Sequence, residues 1–567
     1  RTGQTNEVGT YNFRDVRTGT YTVQVDLAGF KTATRRGVRV ESGQNIRIDL
    51  VLEIGDLADA ITVSESGSAG VLGAAPGGTS PTLSPVFNTE EYGIVKESGF
   101  SSVVNRPLST FSIDVDTASY ALLRGFLRDG RLPPADAVRI EELINYFDYD
   151  YPEPEEGEPF GIVTEIGVCP WSPSHRLVHI GLRSKPVATA NLPPANLVFL
   201  LDVSGSMDSA DKLPLLKKAF SLLTRQLRPQ DRVSVVVYAG AARMVLPPTS
   251  GAQKAKILAA VSDLEADGST AGGAGIQLAY KLARESFIEA GSNRVILATD
   301  GDFNVGVSSD GELVKLIERE RETGIFLSVL GFGTGNLKDS KMEKLADHGN
   351  GNYSYVDSLL EARRVLVKQM GATLLTVAKD VKLQVEFNPE QVKAYRLIGY
   401  ENRLLRDEEF NDDRKDAGDL GAGHGVTALY EVIPASSDEP LPGVDPLKYQ
   451  KTTVRTSAAG GDEVVTVKLR YKLPSGSKSR LLTRVLESPV DGTVPSNAFR
   501  FAAAVAEFGL CLRDSPYKGT SDYDHAFEQV RRNLGGDEEG RRSELLFLIK
   551  TAKELTTESK AGRTNTP

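Results

Sequence analysis

Between residues 196 and 370, short runs of uninterrupted apolar residues alternate with amphipathic stretches of helical period, which restricts the fold more than any other feature of the chain. Leu197-Val198-Phe199-Leu200-Leu201 has no polar face at all. A strand of that kind is buried on both sides, as in a parallel sheet covered by helices. Similar runs recur at Val233–Tyr238, Val295–Ala298 and Phe326–Leu330. Between and after them, Lys212–Gln226, Gln253–Leu264, Gly273–Ala290, Gly311–Glu322 and Ser340–Ala346 place apolar residues three and four apart, as helices do. Alternation of this kind predicts a doubly wound α/β sheet, which binds ligands outside the carboxyl ends of its strands.

The rest of the chain reads differently. At 567 residues it exceeds a single core, and about three to five modules are expected. Residues 8–63 alternate apolar and polar side chains, most clearly at Tyr21–Val25, Val38–Val40 and Ile46–Ile48, the period of half-buried antiparallel strands. Residues 64–95 are rich in Ser, Gly, Pro and Ala and read as a flexible linker. "TASYALLRGFLRDGRLPP" predicts a short helix stopped at Gly130, and "AVRIEELINYFDYDY" carries apolar residues near helical spacing. Residues 160–184 read as strands around Trp171, residues 372–486 as β-rich, and residues 496–556 as helical. The divisions expected are 1–63, 64–95, 96–190, 191–370, 371–486, 487–556 and a polar tail at 557–567. The early β-rich flank is too short for its own core, so strands from 160–186 and 372–486 are expected to share one sandwich with the α/β domain inserted between them. The fold class is therefore multidomain α/β plus β, with β-sandwich segments around the α/β domain and a helical C-terminal region.

Composition removes some functions. The net charge of −10 argues against nucleic acid as partner, because phosphate binding relies on clustered Lys and Arg. Two cysteines, Cys169 and Cys511, make no disulfide framework; one bridge is conceivable, with nothing to say that they meet. No run reaches the ~18–20 apolar residues that span a bilayer. The chain starts at Arg1 inside a recognisable pattern, so further residues are expected to precede it, and the lack of a leader says nothing of compartment.

The chemistry gathers after the first strand of the α/β region. "DVSGSM" sets Asp202, Ser204 and Ser206 in one tight turn, with Gly205 easing the backbone. Hard divalent cations take oxygen ligands, and an acid with two alternate hydroxyls offers them. Thr270, in "DGSTAGGAG", precedes a helix; Asp300, in "ILATDGD", ends an apolar strand. The competing reading is structural: Asp202 or Ser204 as a simple helix cap.

Asp-x-Ser-x-Ser followed by Thr and then Asp at strand ends closely resembles the metal-ion-dependent adhesion site of von Willebrand factor A and integrin I domains. "LPLLKKAF", "RVSVVVYAG" and "VILATDGDFNVGVSSDGEL" extend the likeness. The resemblance implies a Rossmann-like fold that holds Mg²⁺ (or Mn²⁺ or Ca²⁺) through the hydroxyls of Ser204, Ser206 and Thr270, with Asp202 and Asp300 completing its shell directly or through water. It implies a protein partner that presents Asp or Glu to the metal, in a protein that is not an enzyme. "STFSIDVDTASYALLR", "AVRIEELINYFDYDYP", "VLGFGTGNLKDSKMEKLADHGNGNY", "AYRLIGYENRLL" and "LCLRDSPYKG" resemble bacterial von Willebrand A proteins of the YfbK kind. "GTYNFRDVRTGTYTVQVDLAGFKT" resembles part of a carboxypeptidase-regulatory-like, transthyretin-like β-sandwich. That module implies the periplasm, cell surface or outer membrane. A complex-assembly role without an external ligand is the alternative.

Other signals are weaker. Asp114-Val-Asp116-Thr117 approaches the Asp-x-Asp loop of haloacid-dehalogenase phosphatases, but Ala118 stands where Thr or Val is needed, and a structural turn or cap is favoured. His175 and His179 lack the Glu of a zinc helix and sit in a strand-like stretch. In "GFGTGN" the third glycine is misplaced for a nucleotide loop, and a tight loop beside the metal site is expected. His348, His424 and His525 show no evident partners, and Asp302 reads as solvated.

Overall fold

The structure is a computed structural model that describes residues 19–25, 33–40, 90–113, 116–268, 272–301, 303, 310–369, 373–441, 457–474, 476–490 and 492–564. The chain divides into two units, Arg1–Ser84 and Pro85–Pro567. In the first, β1 (Gly19–Val25) pairs antiparallel with β2 (Ala33–Val40), Tyr21 opposite Val38. The Ile46–Ile48 strand and most of the expected linker lie outside the described residues. The end of that linker does not behave as one: the Glu91 N–H donates to Leu337 O at 2.9 Å and Asp339 N to Glu91 O at 3.1 Å, a parallel bridge that holds residues 90–92 to the second unit's body.

The second unit opens with β3 (Ser101–Ser102) and β4 (Leu108–Ser112), then α1 (Ala118–Arg128) and a short α2 (Ile140–Asn145). Next come β5 (Phe160–Cys169) and β6 (Ser172–Ser184). The α/β domain follows: β7 (Ala195–Asp202), α3 (Leu213–Gln226), β8 (Arg232–Tyr238), β9 (Ala242–Ser250), α4 (Lys254–Ser262), α5 (Gly272–Glu285) and β10 (Ser292–Thr299). It ends with α6 (Asp310–Glu322), β11 (Ile325–Phe332), α7 (Asp339–His348), β12 (Tyr353–Val356) and α8 (Leu359–Arg363), which runs into a π-helical turn at Arg364–Lys368. Then come β13 (Thr376–Phe387), β14 (Val392–Ile398), β15 (Leu404–Leu405), β16 (Gly418–Gly421), β17 (Gly425–Pro434), β18 (Glu463–Lys472) and β19 (Ser479–Glu487). The chain closes with α9 (Asn497–Leu512), α10 (Tyr523–Arg532) and α11 (Arg541–Thr564).

The α/β sheet has the order β12-β11-β10-β7-β8-β9, parallel except for β9 at the edge. Its central strand explains the apolar run. Leu197, Phe199 and Leu201 enter a core under α3 and α4, whereas Val198 and Leu200 enter a core under α5, α6 and α7. Both faces are packed with apolar side chains, so the run from Leu197 to Leu201 is apolar at both parities. The chain winds from β7 outward through β8, then returns to β10 on the other side. The carboxyl ends of β7 and β10 are therefore adjacent where the winding reverses, with Leu201 level with Ala298.

The flanks do form one sandwich. One sheet runs β15-β4-β13-β18-β19 and the other β3-β14-β17-β6-β5, with a shared core that includes Phe111, Ile180, Val385, Tyr430 and Val467. Strands β3 and β4, from before the helices, join it as well. Helix α1 packs into two cores: Ala118, Ala121 and Leu122 enter the α/β core, while Tyr120, Leu123 and Leu127 join α2 and α9–α11. Helix α11 continues past residue 556 to Thr564. Cys169 and Cys511 are buried and unbridged. Among the described residues no helix is long and apolar enough to cross a membrane.

Candidate metal centre

The turn after β7 is organised by its acid. Asp202 Oδ1 accepts from Ser204 N–H at 2.9 Å and from Ser204 Oγ at 2.6 Å, and Ser204 Oγ lies 3.1 Å from Ser206 Oγ. The other oxygen, Oδ2, accepts from Tyr238 OH and Thr299 Oγ1, both at 3.0 Å. Those two residues are the last of the neighbouring strands β8 and β10; Tyr238 stands directly opposite Asp202 in the parallel register. The sheet therefore places the carboxylate. Ser204 sits at the N-cap of a 3₁₀ turn but makes no side-chain cap bond, so the simple helix-cap reading does not describe it. Gly205 is not there for a positive φ; its N–H donates to Gly268 O at 3.0 Å, and Asp267 N–H donates to Val203 O at 2.9 Å. These two bonds bring the loop before α5 against the turn. Thr270, in that loop, lies outside the described residues, as does Asp302.

Asp300, one residue past β10, is fully buried and borders the same turn. Its Oδ2 accepts from Lys212 Nζ at 3.0 Å, and the same ammonium donates to Asn336 Oδ1 at 3.0 Å. The two acids are poised differently. Burial pushes the Asp202 carboxyl above its ordinary value, against the hydrogen bonds from Ser204. Burial acts on Asp300 too, but the hydrogen bond from Asn336, the Lys212 charge and a hydrogen bond from Ser206 together hold its carboxyl below the usual range. Gly301, with φ of +109°, then turns the chain so tightly that a Cβ would meet Lys338 N at 2.5 Å. This packs the 333–339 loop against the site, where "GFGTGN" was expected.

The donor set suits a hard cation. Among the described residues no three His, Cys, Asp or Glu side chains converge as a metal cluster. Here two carboxylates stand with two serine hydroxyls, an all-oxygen set of the kind Mg²⁺ and Ca²⁺ take. Asp202, Ser204, Ser206 and Asp300 are thus brought together. Sequence reasoning missed Tyr238 and Thr299, which a strand-end register would have found, and Lys212 and Asn336, for which it held no signal.

The other candidate groups are occupied structurally. Asp116 accepts from Tyr353 N–H at 2.8 Å and pairs with Arg403 at 3.0 Å; Asp114 lies outside the described residues. His175 binds Glu431 and Glu439, His179 binds Tyr151, and His348 binds Glu318, so the partners absent from the sequence pattern are long-range ones. His525 binds the buried Glu507, while His424 is half-buried and its Nδ1 makes no hydrogen bond.

Residues 196–368 match the von Willebrand factor type A domain, and this fold and sheet winding place the α/β region in that class. Residues 86–179 match the model described as von Willebrand factor, residues 372–555 the C-terminal region of the uncharacterized protein YfbK, and residues 1–53 the carboxypeptidase regulatory-like domain. The chain is 42% identical over 477 residues to "Uncharacterized protein YfbK" of Escherichia coli (strain K12), covering 82% of each protein. It belongs to the YfbK family. It is also 29% identical over 265 residues to human inter-alpha-trypsin inhibitor heavy chain H3, covering 42% of this chain and 28% of that protein. Among solved structures, a von Willebrand factor type A protein from Catenulispora acidiphila aligns at 17% identity, over 67% of this chain and 88% of that one, with a TM-score of 0.37.

Proposed function

We propose that this chain is a metal-dependent protein-binding protein of adhesion or assembly type, not an enzyme. Asp202, Ser204, Ser206, Thr270 and Asp300 would hold one divalent cation, Mg²⁺ or else Mn²⁺ or Ca²⁺, and an Asp or Glu of a partner protein would complete its shell. The observation that carries this reading is the continuous oxygen chain from Asp202 Oδ1 through Ser204 Oγ to Ser206 Oγ beside the Asp300 carboxylate, at the winding reversal of the sheet. Neutral hydroxyls leave a bound cation short of negative charge, so an incoming carboxylate is attracted to it. The match of residues 1–53 supports a place in the periplasm, at the cell surface or on the outer membrane, which fractionation with a tagged chain tests.

Thermal unfolding of the full chain in Mg²⁺ and in EDTA, beside an Asp202→Ala/Ser204→Ala double variant, tests the site. A cation that binds only the folded state raises its apparent stability. The expected result is a Mg²⁺-dependent rise in the wild type and none in the variant; equal behaviour of the two would contradict the proposal.

A second reading, an intramolecular or assembly role without external ligand, rests on Glu90. Its Oε1 accepts from Gly335 N–H at 2.7 Å, so an acid of the same chain already sits on the loop beside the site. Competition by an acidic peptide for a metal-dependent partner separates the two. Phosphatase chemistry at Asp114 and Asp116 is the least supported alternative, given the structural bonds of Asp116; Asp114→Asn should leave phosphate-ester hydrolysis at background.

A further inference from the structure

The site contains a cation of its own. Lys212 stands just before α3, its side chain only 9% exposed, with its ammonium 3.0 Å from Asp300 Oδ2 and 3.0 Å from Asn336 Oδ1. The stem reaches that position across Gly333. At φ of +68° a Cβ on Gly333 would meet Lys212 Cε at 2.2 Å and Cγ at 2.4 Å, so any larger residue would close the path. This accounts for a glycine in "GFGTGN" that no nucleotide-loop pattern explains. The charge and the channel that admits it are thus built together.

We propose that Lys212 is the resident counter-cation of the metal site, holding Asp300 against a divalent cation and making metal binding tighter when a carboxylate accompanies it. This inference rests on the metal-site reading above. Asp202 and Asp300 supply two negative charges and Lys212 returns one, so a divalent cation leaves these three side chains and the ion net positive, with the Glu90 carboxylate on the adjoining loop at Gly335 N–H. Like charges a few ångströms apart in a partly buried setting repel each other appreciably. The ammonium therefore weakens binding of a cation alone. A carboxylate that arrives with the cation offsets that repulsion, and its second oxygen can face the Lys212 ammonium. Lys212 is a positioning and selectivity residue under this account. It makes the site respond to metal and acidic ligand jointly, and it disfavours a permanently loaded state.

Titration of the full chain with MnCl₂, followed by electron paramagnetic resonance of free Mn²⁺, with and without sodium acetate, tests this. Lys212→Met keeps the stem and removes the charge; Lys212→Gln serves the same purpose should the methionine variant fold poorly. The expected result is Mn²⁺ affinity about tenfold tighter in Lys212→Met than in wild type, with Lys212→Arg close to wild type. Acetate should tighten Mn²⁺ binding by wild type more than by Lys212→Met. Affinity in Lys212→Met equal to or weaker than wild type would overturn the inference, as would Lys212→Arg matching Lys212→Met. In either case, Mn²⁺ binding that Asp202→Ala abolishes leaves the metal-site reading standing. Absence of Mn²⁺ binding in wild type and Lys212→Met alike would overturn both.

Discussion

Two clusters of buried carboxylates lie in the same α/β domain and have opposite characters. One is the turn after β7, where Asp202 and Asp300 stand among hydroxyls with a single lysine. The other lies at the start of α8, where Arg124 of α1 grips both oxygens of Asp357 at 2.7 and 2.5 Å, reaches Glu361 at 2.9 Å and extends to Glu544 of α11 at 3.1 Å. Arg364 adds a second guanidinium to Glu361 at 2.7 Å, and Tyr146 OH donates to the same carboxylate at 2.7 Å. In this junction the charges meet through planar, forked donors that match carboxylate geometry. At the turn after β7 the acids meet hydroxyls and a lysine at one corner, an arrangement that, under the proposed function, would take a further cation. Burial of charge alone thus does not mark a binding site. What separates the two is whether the chain supplies complementary charge in matching geometry.

The junction also ties parts of the second unit together. Arg124 comes from the segment before the α/β domain, Asp357 and Glu361 from the turn after its last strand and from its last helix, and Glu544 from the C-terminal helices. Its removal should be the largest effect in the molecule. Arg124→Met leaves Asp357 and Glu361 short of a buried partner and is expected to cost about 3–5 kcal/mol in urea unfolding of the full chain. A loss near that of an exposed ion pair, roughly 0–1 kcal/mol, would break the contrast.

Acid should act on the junction next. Burial raises the Glu361 carboxyl, but the charges of Arg364 and Arg124 outweigh it and hold the group at about 2, against an ordinary value of 4.5. A depressed acid stabilises the fold fully above its unfolded value and loses that contribution as pH falls through its folded value. The window is therefore from about 4.5 down to about 2, with on the order of 3 kcal/mol lost across it. Urea midpoints at pH 5, 3 and 2 should fall more steeply in wild type than in Glu361→Gln. Parallel slopes would show that the Glu361 ion pairs are weaker than their geometry implies.

The metal turn should show the reverse. Ser206 is exposed, and Ser206→Ala is expected to shift metal-free stability by at most about 0.5 kcal/mol. The same variant should lose most of the Mg²⁺-dependent rise in melting temperature. A large metal-free loss with the Mg²⁺ response intact would make the turn a structural element like the junction.

The two regions also differ in how far the sequence revealed them. Asp202, Ser204, Ser206 and Asp300 were legible because strand ends are local: an apolar run stops and polar residues with the right oxygens follow. The junction was not legible, since Arg124, Asp357, Glu361 and Glu544 are distant in sequence and none has a partner within its own element except the Arg364–Glu361 pair. The same physics governs the strands. β7 announced itself by being apolar at both parities. β9, with Pro247 and Pro248 inside it, did not, and its place at the sheet edge is what tolerates them. β4 was equally hidden, because only its antiparallel pairing with distant strands makes it one: Phe111 stands opposite Leu383 of β13 and Leu404 of β15. Lys212 read as the first residue of a helix; its role depends on the path over Gly333, a contact between remote loops.

The most direct test of the metal-site account is a crystal structure of the full chain grown with Mn²⁺ and solved with anomalous data. The account predicts one anomalous peak within ligand distance of Ser204 Oγ and Ser206 Oγ, with Thr270 beside it and the acids Asp202 and Asp300 bound directly or through water. A turn without density at saturating Mn²⁺, or a peak ligated elsewhere in the chain, would contradict it.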